Sequence, residues 1–407
     1  MDKRDEPAKN PPVWNFSTRA QALAGSAIRD IVKKIGQRPE VISFAGGLPS
    51  PATFPIDAIR AAFDTVLSRE GKAALQYSAT DGYAPLRAWI ADSLSTHGAR
   101  IAPEQVLIVS GSQQGLDLLG KVLVNEGDAV VVETPTYVGA LHALGIYGPR
   151  FKAVPMDDEG LVPDALPDVL ARCGGRASFL YTIPTFQNPT GRTLSHARRV
   201  ALVECAARLQ LPIVDDDPYR LLDHAGATYQ TLLSMRPEGI VHLGSFSKIL
   251  APGIRLGYVV APLALARKLE QAKQGADLHT ATLTQMIAHE ILKEGFLDNH
   301  LAASRKVYAG QCAAMLQALE EHFPRGATWT RPTGGMFVWA TLPEGVDATR
   351  MLDAALDENV GYVPGAPFFA EAPLANTLRL SFATVTPEKM REGIARLGKV
   401  IAAARPQ

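Results

Sequence analysis

The run Val241-His242-Leu243-Gly244-Ser245-Phe246-Ser247-Lys248, followed seven residues later by Arg255 and then Gly257, decides how the chain is read. Residues 241–244 form a short β-rich run, and an amine, two hydroxyls and a guanidinium are delivered at its end. A partly desolvated lysine amine can form a Schiff base with an aldehyde. The serine hydroxyls and the arginine suit a phosphate dianion through hydrogen bonding and charge. That is the chemistry of a pyridoxal-phosphate anchor. The segment also reads as a serine turn with a surface lysine, because Ser-x-Ser-Lys is short. The rest of the chain decides between the two.

Comparable β-rich runs at 106–109, 129–133, 179–183, 212–215 and 256–260 alternate with longer amphipathic stretches. In 196–209 the apolar residues Val200, Leu202, Val203, Ala206 and Leu209 fall at helical spacing. Such alternation predicts an α/β fold, with a mostly parallel sheet covered by helices. From 281 to 323 the pattern predicts continuous helix. Strands at 336–340 and 377–382 and a last helix from Pro387 then predict a smaller α+β domain. Gly- and Pro-rich punctuation at 46–51 and 331–335 marks boundaries. We divide the chain into an N-terminal tail and arm contributing to the small domain (1–50), a large cofactor-binding domain (51–292) and a small C-terminal domain (293–407).

With 407 residues, 47% apolar and 20% charged, the chain is long enough for a sizeable core and has ordinary globular composition. Forty-one basic residues balance forty-one acidic ones, so no global field favours nucleic acid or anionic lipid. Cys173, Cys205 and Cys312 are odd in number and widely spaced, which fits free thiols better than disulfides or a metal site. The charged, proline-rich residues 1–12 have no signal-peptide core, and no run of ~18 apolar residues follows. The expected setting is the cytoplasm, with no metal and no membrane.

Four further constellations carry chemistry. The run at 107–110 enters Gly111-Ser112-Gln113-Gln114-Gly115 and an apolar helix. This strand, turn and helix N-terminus aims free N–H groups at a phosphate, although a plain serine-capped turn has the same sequence. The run at 212–215 ends in Asp215-Asp216-Asp217-Pro218-Tyr219. Three acids there read as a solvated loop, a magnesium site, or one carboxylate for a pyridine nitrogen with a phenol beside it, and Asp216 and Tyr219 have the spacing for the last. Asn188-Pro189-Thr190-Gly191 is a turn that would hold the Asn188 amide at a sheet edge. Tyr137, in Pro135-Thr136-Tyr137, offers a ring to stack on a flat heterocycle, or a core tyrosine.

In this order and spacing, with Arg379-Leu380-Ser381-Phe382 at the far end, the pieces resemble the fold-type-I pyridoxal-phosphate aminotransferases of class I/II over nearly the whole chain. The runs 43–49, 75–78, 271–280 and 331–339 are most similar to the α-aminoadipate and kynurenine aminotransferase branch. The resemblance implies an aspartate aminotransferase-like fold, a large domain with a mostly parallel sheet of the seven-stranded type plus a smaller α+β domain. It implies pyridoxal 5′-phosphate carried by Lys248, its ring nitrogen paired with Asp216, O3′ held by Asn188 and Tyr219, and Tyr137 stacked on the ring. Ser112, Gln113, Ser245, Ser247 and Arg255 would hold the phosphate, with Tyr77 reaching over from the partner of a homodimer. Arg379 would clamp the substrate α-carboxylate beside Gly47 and Asn188. Arg331 is a rival that precedes a turn instead of lying on a strand. Arg29, on a short amphipathic stretch, reads as an exposed helix arginine, and by resemblance as a contact for a distal carboxylate.

The implied reaction is ping-pong transfer of an amino group from an L-α-amino acid of the 2-aminoadipate, glutamate, leucine or aromatic type to a 2-oxo acid such as 2-oxoglutarate. Lys248 would be the general base for the Cα proton. Two alternatives share the fold: another pyridoxal-phosphate reaction, β-elimination or decarboxylation, and a regulator's aminotransferase-like effector domain. The latter is disfavoured, because only some forty residues, with no helix-turn-helix pattern, precede the Gly46-Gly47-Leu48-Pro49 segment.

Overall fold

The computed structural model describes residues 14–404 except 22, 24 and 26. The polar tail at residues 1–12 lies outside the described residues. In chain order the strands are β1 (Ile42–Ser43), β2 (Val106–Val109), β3 (Ala129–Thr134), β4 (Arg150–Asp157), β5 (Gly160–Leu161), β6 (Leu180–Thr182) and β7 (Ile213–Asp216). These are followed by β8 (Ile240–Ser245), β9 (Gly257–Val260), β10 (Thr328–Trp329), β11 (Phe337–Thr341), β12 (Val360–Gly361), β13 (Val363–Pro364) and β14 (Thr377–Ser381). The large sheet has the order β2-β9-β8-β7-β6-β3-β4-β5. From β8 through β4 every pairing is parallel, while β9 runs antiparallel to both β2 and β8. Apolar runs buried on both faces, such as Val106–Val109 and Leu180–Thr182, fit strands sandwiched between helix layers.

Two expectations are corrected here. The sheet has eight strands instead of seven, because β4 ends in a turn at Asp158-Glu159 that folds the two-residue β5 back on it. The run forming β4 was missed altogether: Pro155 interrupts its β pattern, and it is tolerated because β4 lies next to the sheet edge. The second concerns the long helical stretch. It is broken after Leu292, where Gly295 takes φ +72, and a second helix, Phe296–His322, starts anew. The apolar stripe continues across the break, so periodicity alone could not show it.

A second, antiparallel sheet has the order β10-β11-β14-β13, and the helix Phe296–His322 packs on the last helix, Pro387–Ala403. The N-terminal arm joins this part of the chain, as β1 pairs in parallel with β12 and Lys34 forms an ion pair with Asp353. One apolar core runs through both sheets. Among the described residues no helix is long and apolar enough to cross a membrane.

Candidate active site

The segments that follow β3, β6, β7 and β8 meet at the C-terminal edge of the parallel strands, where loops of an α/β sheet converge on a crevice. There they line a cavity of about 520 Å³. Arg29, Gly47, Ser112, Gln113, Tyr137, Asn188, Asp216, Tyr219, Ser245, Ser247, Lys248, Arg255 and Arg379, scattered over 350 positions of sequence, all reach it. Tyr77 does not. Its side chain is 79% exposed and packs edge-on against His279, 5.9 Å between ring centroids. Arg331 is also absent from the lining, being exposed and ion-paired with Glu320.

Lys248 sits in the turn directly after β8, and its Nζ donates to the Gly47 carbonyl at 3.0 Å. Burial, reinforced by the nearby Arg379 and Arg255 guanidinium groups, lowers its pKa to about 8, so a neutral amine is within reach near physiological pH. Strand alternation sorts the three consecutive acids. Asp215, buried, faces His242, whose Nδ1 lies 3.0 Å from Asp215 Oδ2. Asp217 receives Arg220 Nε at 2.7 Å. Asp216 alone turns toward the cavity, where burial raises its carboxyl to about 7. Its Oδ2 accepts from the Tyr181 hydroxyl at 2.7 Å, and its Oδ1 has no hydrogen-bond partner among the described residues.

Across the cavity, Asn188 and Tyr219 stand together, each buried, and burial pushes the Tyr219 phenol well above its ordinary range. Tyr137 precedes the short helix Val138–Gly145. A Cβ on Gly139 would lie 2.3 Å from the Tyr137 ring, so only glycine lets that ring lie flat against the helix start.

Ser112 and Gln113 open the helix Ser112–Leu123, whose N-cap is Gly111 at φ +86. A Cβ at Gly111 would meet Arg255 Nη2 at 2.4 Å. The turn and the guanidinium thus approach as closely as backbone permits, an arrangement suited to an anion at a helix N-terminus. Gln113 departs from a simple side-chain role, because its Nε2 is committed to the Gly139 carbonyl at 2.8 Å. What it offers the cavity from the helix start is its N–H. Behind the turn, Gln114 Oε1 accepts from Ser110 N (2.8 Å) and from the buried Lys273 (3.0 Å), and Asp277 accepts from Lys273 and Gln114. Nothing in the 271–280 run by itself signals that Lys273 and Asp277 support this turn.

Arg379 lies on β14 of the second sheet. Nη1 donates to Asn188 Oδ1 (3.0 Å) and Nη2 to the Ala45 carbonyl (2.7 Å), while Phe337 and Phe368 stand 4.4 and 5.1 Å from its central carbon. Burial lowers its pKa to about 10, still far above neutrality, so it remains a cation. Its buried Nε has no partner among the described residues. Sequence reasoning missed Phe368 and Tyr181. Phe368 carries no motif, and Tyr181 reads as one more apolar strand residue.

These residues fit a phosphorylated pyridine aldehyde. One buried carboxylate oxygen without a partner suits a pyridinium N–H, a poised amine suits the aldehyde, and the Gly111–Arg255 approach suits the phosphate. The comparisons agree. Residues 39–397 match the family model "Aminotransferase class I and II". The chain is 46% identical over 397 residues to the 2-aminoadipate transaminase of Thermus thermophilus, covering 96% of this chain and 98% of that protein. Identity to aromatic-amino-acid aminotransferase 1 of Thermococcus litoralis is 45%, covering 95% and 94%. The crystal structure of the Thermus thermophilus α-aminoadipate aminotransferase complexed with N-(5′-phosphopyridoxyl)-L-leucine superimposes with a TM-score of 0.88 at 46% identity, over 96% of this chain and 97% of that one. The chain belongs to the class I and II aminotransferases.

Proposed function

We propose that this amino-acid aminotransferase, dependent on pyridoxal 5′-phosphate, carries the amino group of an L-α-amino acid to a 2-oxo acid such as 2-oxoglutarate in ping-pong fashion. The donors proposed are 2-aminoadipate, glutamate, leucine and aromatic amino acids, matching the names of the relatives and the leucine adduct. The observation that carries the reading is the convergence on one cavity of the Lys248 amine, the Asp216 carboxylate and the Arg379 guanidinium.

When bound, the cofactor supplies an electron sink for the charge left at Cα. The chain's residues do the rest. Asp216 would hold the proton on the ring nitrogen, Asn188 and Tyr219 would hold O3′, and Tyr137 would stack on the ring. Ser112, Gln113, Ser245, Ser247 and Arg255 hold the phosphate. Arg379 clamps the α-carboxylate, leaving the Cα–H bond within reach of Lys248. Lys248, whose amine would hold the cofactor's aldehyde, would serve as the general base for that proton. Arg29, at the cavity wall on the helix Ala27–Gly36, contacts a distal carboxylate when the substrate has one.

The working unit is a homodimer in which Tyr77 reaches the neighbour's phosphate. Its 79% exposure, with Leu75 73% and Leu48 58% exposed, supports a covering partner. The free thiols of Cys173, Cys205 and Cys312 support a cytoplasmic setting. The test is a half-reaction. The loaded enzyme is given one amino acid and no oxo acid, and its absorption is followed. Conversion to the pyridoxamine form is expected with L-2-aminoadipate and L-glutamate. Release of ammonia or carbon dioxide without that conversion would replace transfer by elimination or decarboxylation.

A further inference from the structure

Tyr181 belongs to the wall behind the cavity. It lies on β6, wholly buried, and is not among the residues that line the cavity. In the β6–β7 register Tyr181 pairs with Val214, so Asp216, two residues on, projects on the same face as its diagonal neighbour. The phenol reaches Asp216 Oδ2 at 2.7 Å and leaves Oδ1, on a residue that lines the cavity, as the carboxylate oxygen without a hydrogen-bond partner among the described residues. The surroundings make this one donor matter. Asp215 and Asp217 flank Asp216 on its own strand and disfavour its charge, while His242 on β8 favours it. Glu133 on β3 is close enough to interact with Asp216 unfavourably, as are the phenols of Tyr137 and Tyr219. Burial holds the Tyr181 phenol well above its ordinary range, so it is a donor at every working pH.

A buried tyrosine hydroxyl needs an acceptor in any case, and Asp216 would serve as one even if the contact did nothing for the site. Two features speak for more. Both groups are set by paired strands, and the bond occupies one carboxylate oxygen of a cavity-lining residue while the other is left without a partner among the described residues. We propose that Tyr181 is a positioning residue: by holding Asp216 Oδ2 it directs Oδ1 at the ring nitrogen of bound pyridoxal phosphate and stabilises the charged carboxylate there. The proposal rests on the cofactor reading above.

The test is Tyr181→Phe, read first without turnover. A hydrogen bond to a charged acceptor is worth a factor of about 10 at the low end of its range, so the apo-protein should bind pyridoxal phosphate about 10-fold more weakly. In the loaded protein, the pH midpoint of the absorption change of the Lys248-linked cofactor should move upward. A proton held less firmly on the ring nitrogen withdraws less electron density and leaves the linking nitrogen more basic. In turnover, kcat should fall while KM for the amino acid stays put. In an Asp216→Asn background the Tyr181→Phe change should add nothing to the midpoint, because the residue acts through Asp216.

An unchanged midpoint and unchanged cofactor affinity in Tyr181→Phe, whatever its melting temperature, would overturn the proposal. If the phenylalanine variant does not fold, a singly fluorinated tyrosine placed at 181 keeps the shape and strengthens the donor. The midpoint must then move downward, and one that stays still overturns the proposal equally. Wild-type protein that takes up no pyridoxal phosphate would sink the cofactor reading instead.

Discussion

At the level of single residues, the site works by burying charge where a ligand will later compensate it. In the proposed function Lys248 supplies both the cofactor linkage and the mobile base, so Lys248→Ala should abolish a borohydride-reducible protein–cofactor bond. Turnover should fall by on the order of 10²–10⁴-fold from the lost general base alone. A variant that retained the reducible bond would remove Lys248 from its role. Asp216 makes a second prediction, about pH. In the apo-protein, burial raises its pKa from 3.8 to about 7, so between those values the native state holds the proton more tightly than the unfolded chain. Stability is therefore greatest below pH 3.8 as far as this group is concerned. It declines as pH rises from 3.8 through 7, by on the order of 4 kcal/mol. Urea unfolding of apo-protein across this range should show the decline, and Asp216→Asn should flatten it. Glu133, also pushed up to about 7 by burial, adds to the decline that remains in that variant. The chemistry of Lys248, Asp216 and Arg255 was legible because each stands in a short run at a strand end. The commitment of the Gln113 amide to Gly139 was not, since nothing in the sequence says which of a residue's polar groups a neighbouring helix will take.

The helix Ala27–Gly36 carries the proposed selective contact to the rim. Arg29 lines the cavity while the C-terminal end of the same helix is tied to the second sheet's part of the chain through Lys34 and Asp353. A hydrogen bond to a charged group contributes ~1.5–3 kcal/mol, so Arg29→Ala should lower kcat/KM for 2-aminoadipate about 10- to 150-fold. Leucine, which has no distal carboxylate, should be nearly unaffected. An equal fall for both substrates would make Arg29 a structural residue. Element boundaries were legible where the apolar period changed, as at Val106–Val109 and Leu180–Thr182, and illegible where it did not. The break at Gly295 leaves the stripe in phase, and Pro155 disguises β4.

For the molecule as a whole, the ordered series of strand-end runs made the α/β architecture and its cofactor edge readable. The partners that meet across the two sheets were not. Arg379 with Asn188, and Lys248 with Gly47, are separated by about 200 residues and joined by topology alone. The proposed dimer makes the remaining prediction. Sedimentation should give two chains per particle, and mixing Lys248→Ala subunits with Tyr77→Phe subunits should restore one native site per mixed dimer, provided the latter is impaired by itself. A fully active monomer would contradict the shared site.

If Arg379 clamps the α-carboxylate as proposed, its setting also limits which acids the enzyme can hold. With Phe337 and Phe368 against it and Asn188 and the Ala45 carbonyl already on its two terminal nitrogens, the guanidinium is a slot to be entered edge-on. In the proposed role, a flat carboxylate would enter that slot and share those bonds. A tetrahedral phosphonate carries an oxygen out of the plane and collides with an aromatic ring, so aminophosphonate analogues of good substrates should be turned away on shape before charge is weighed.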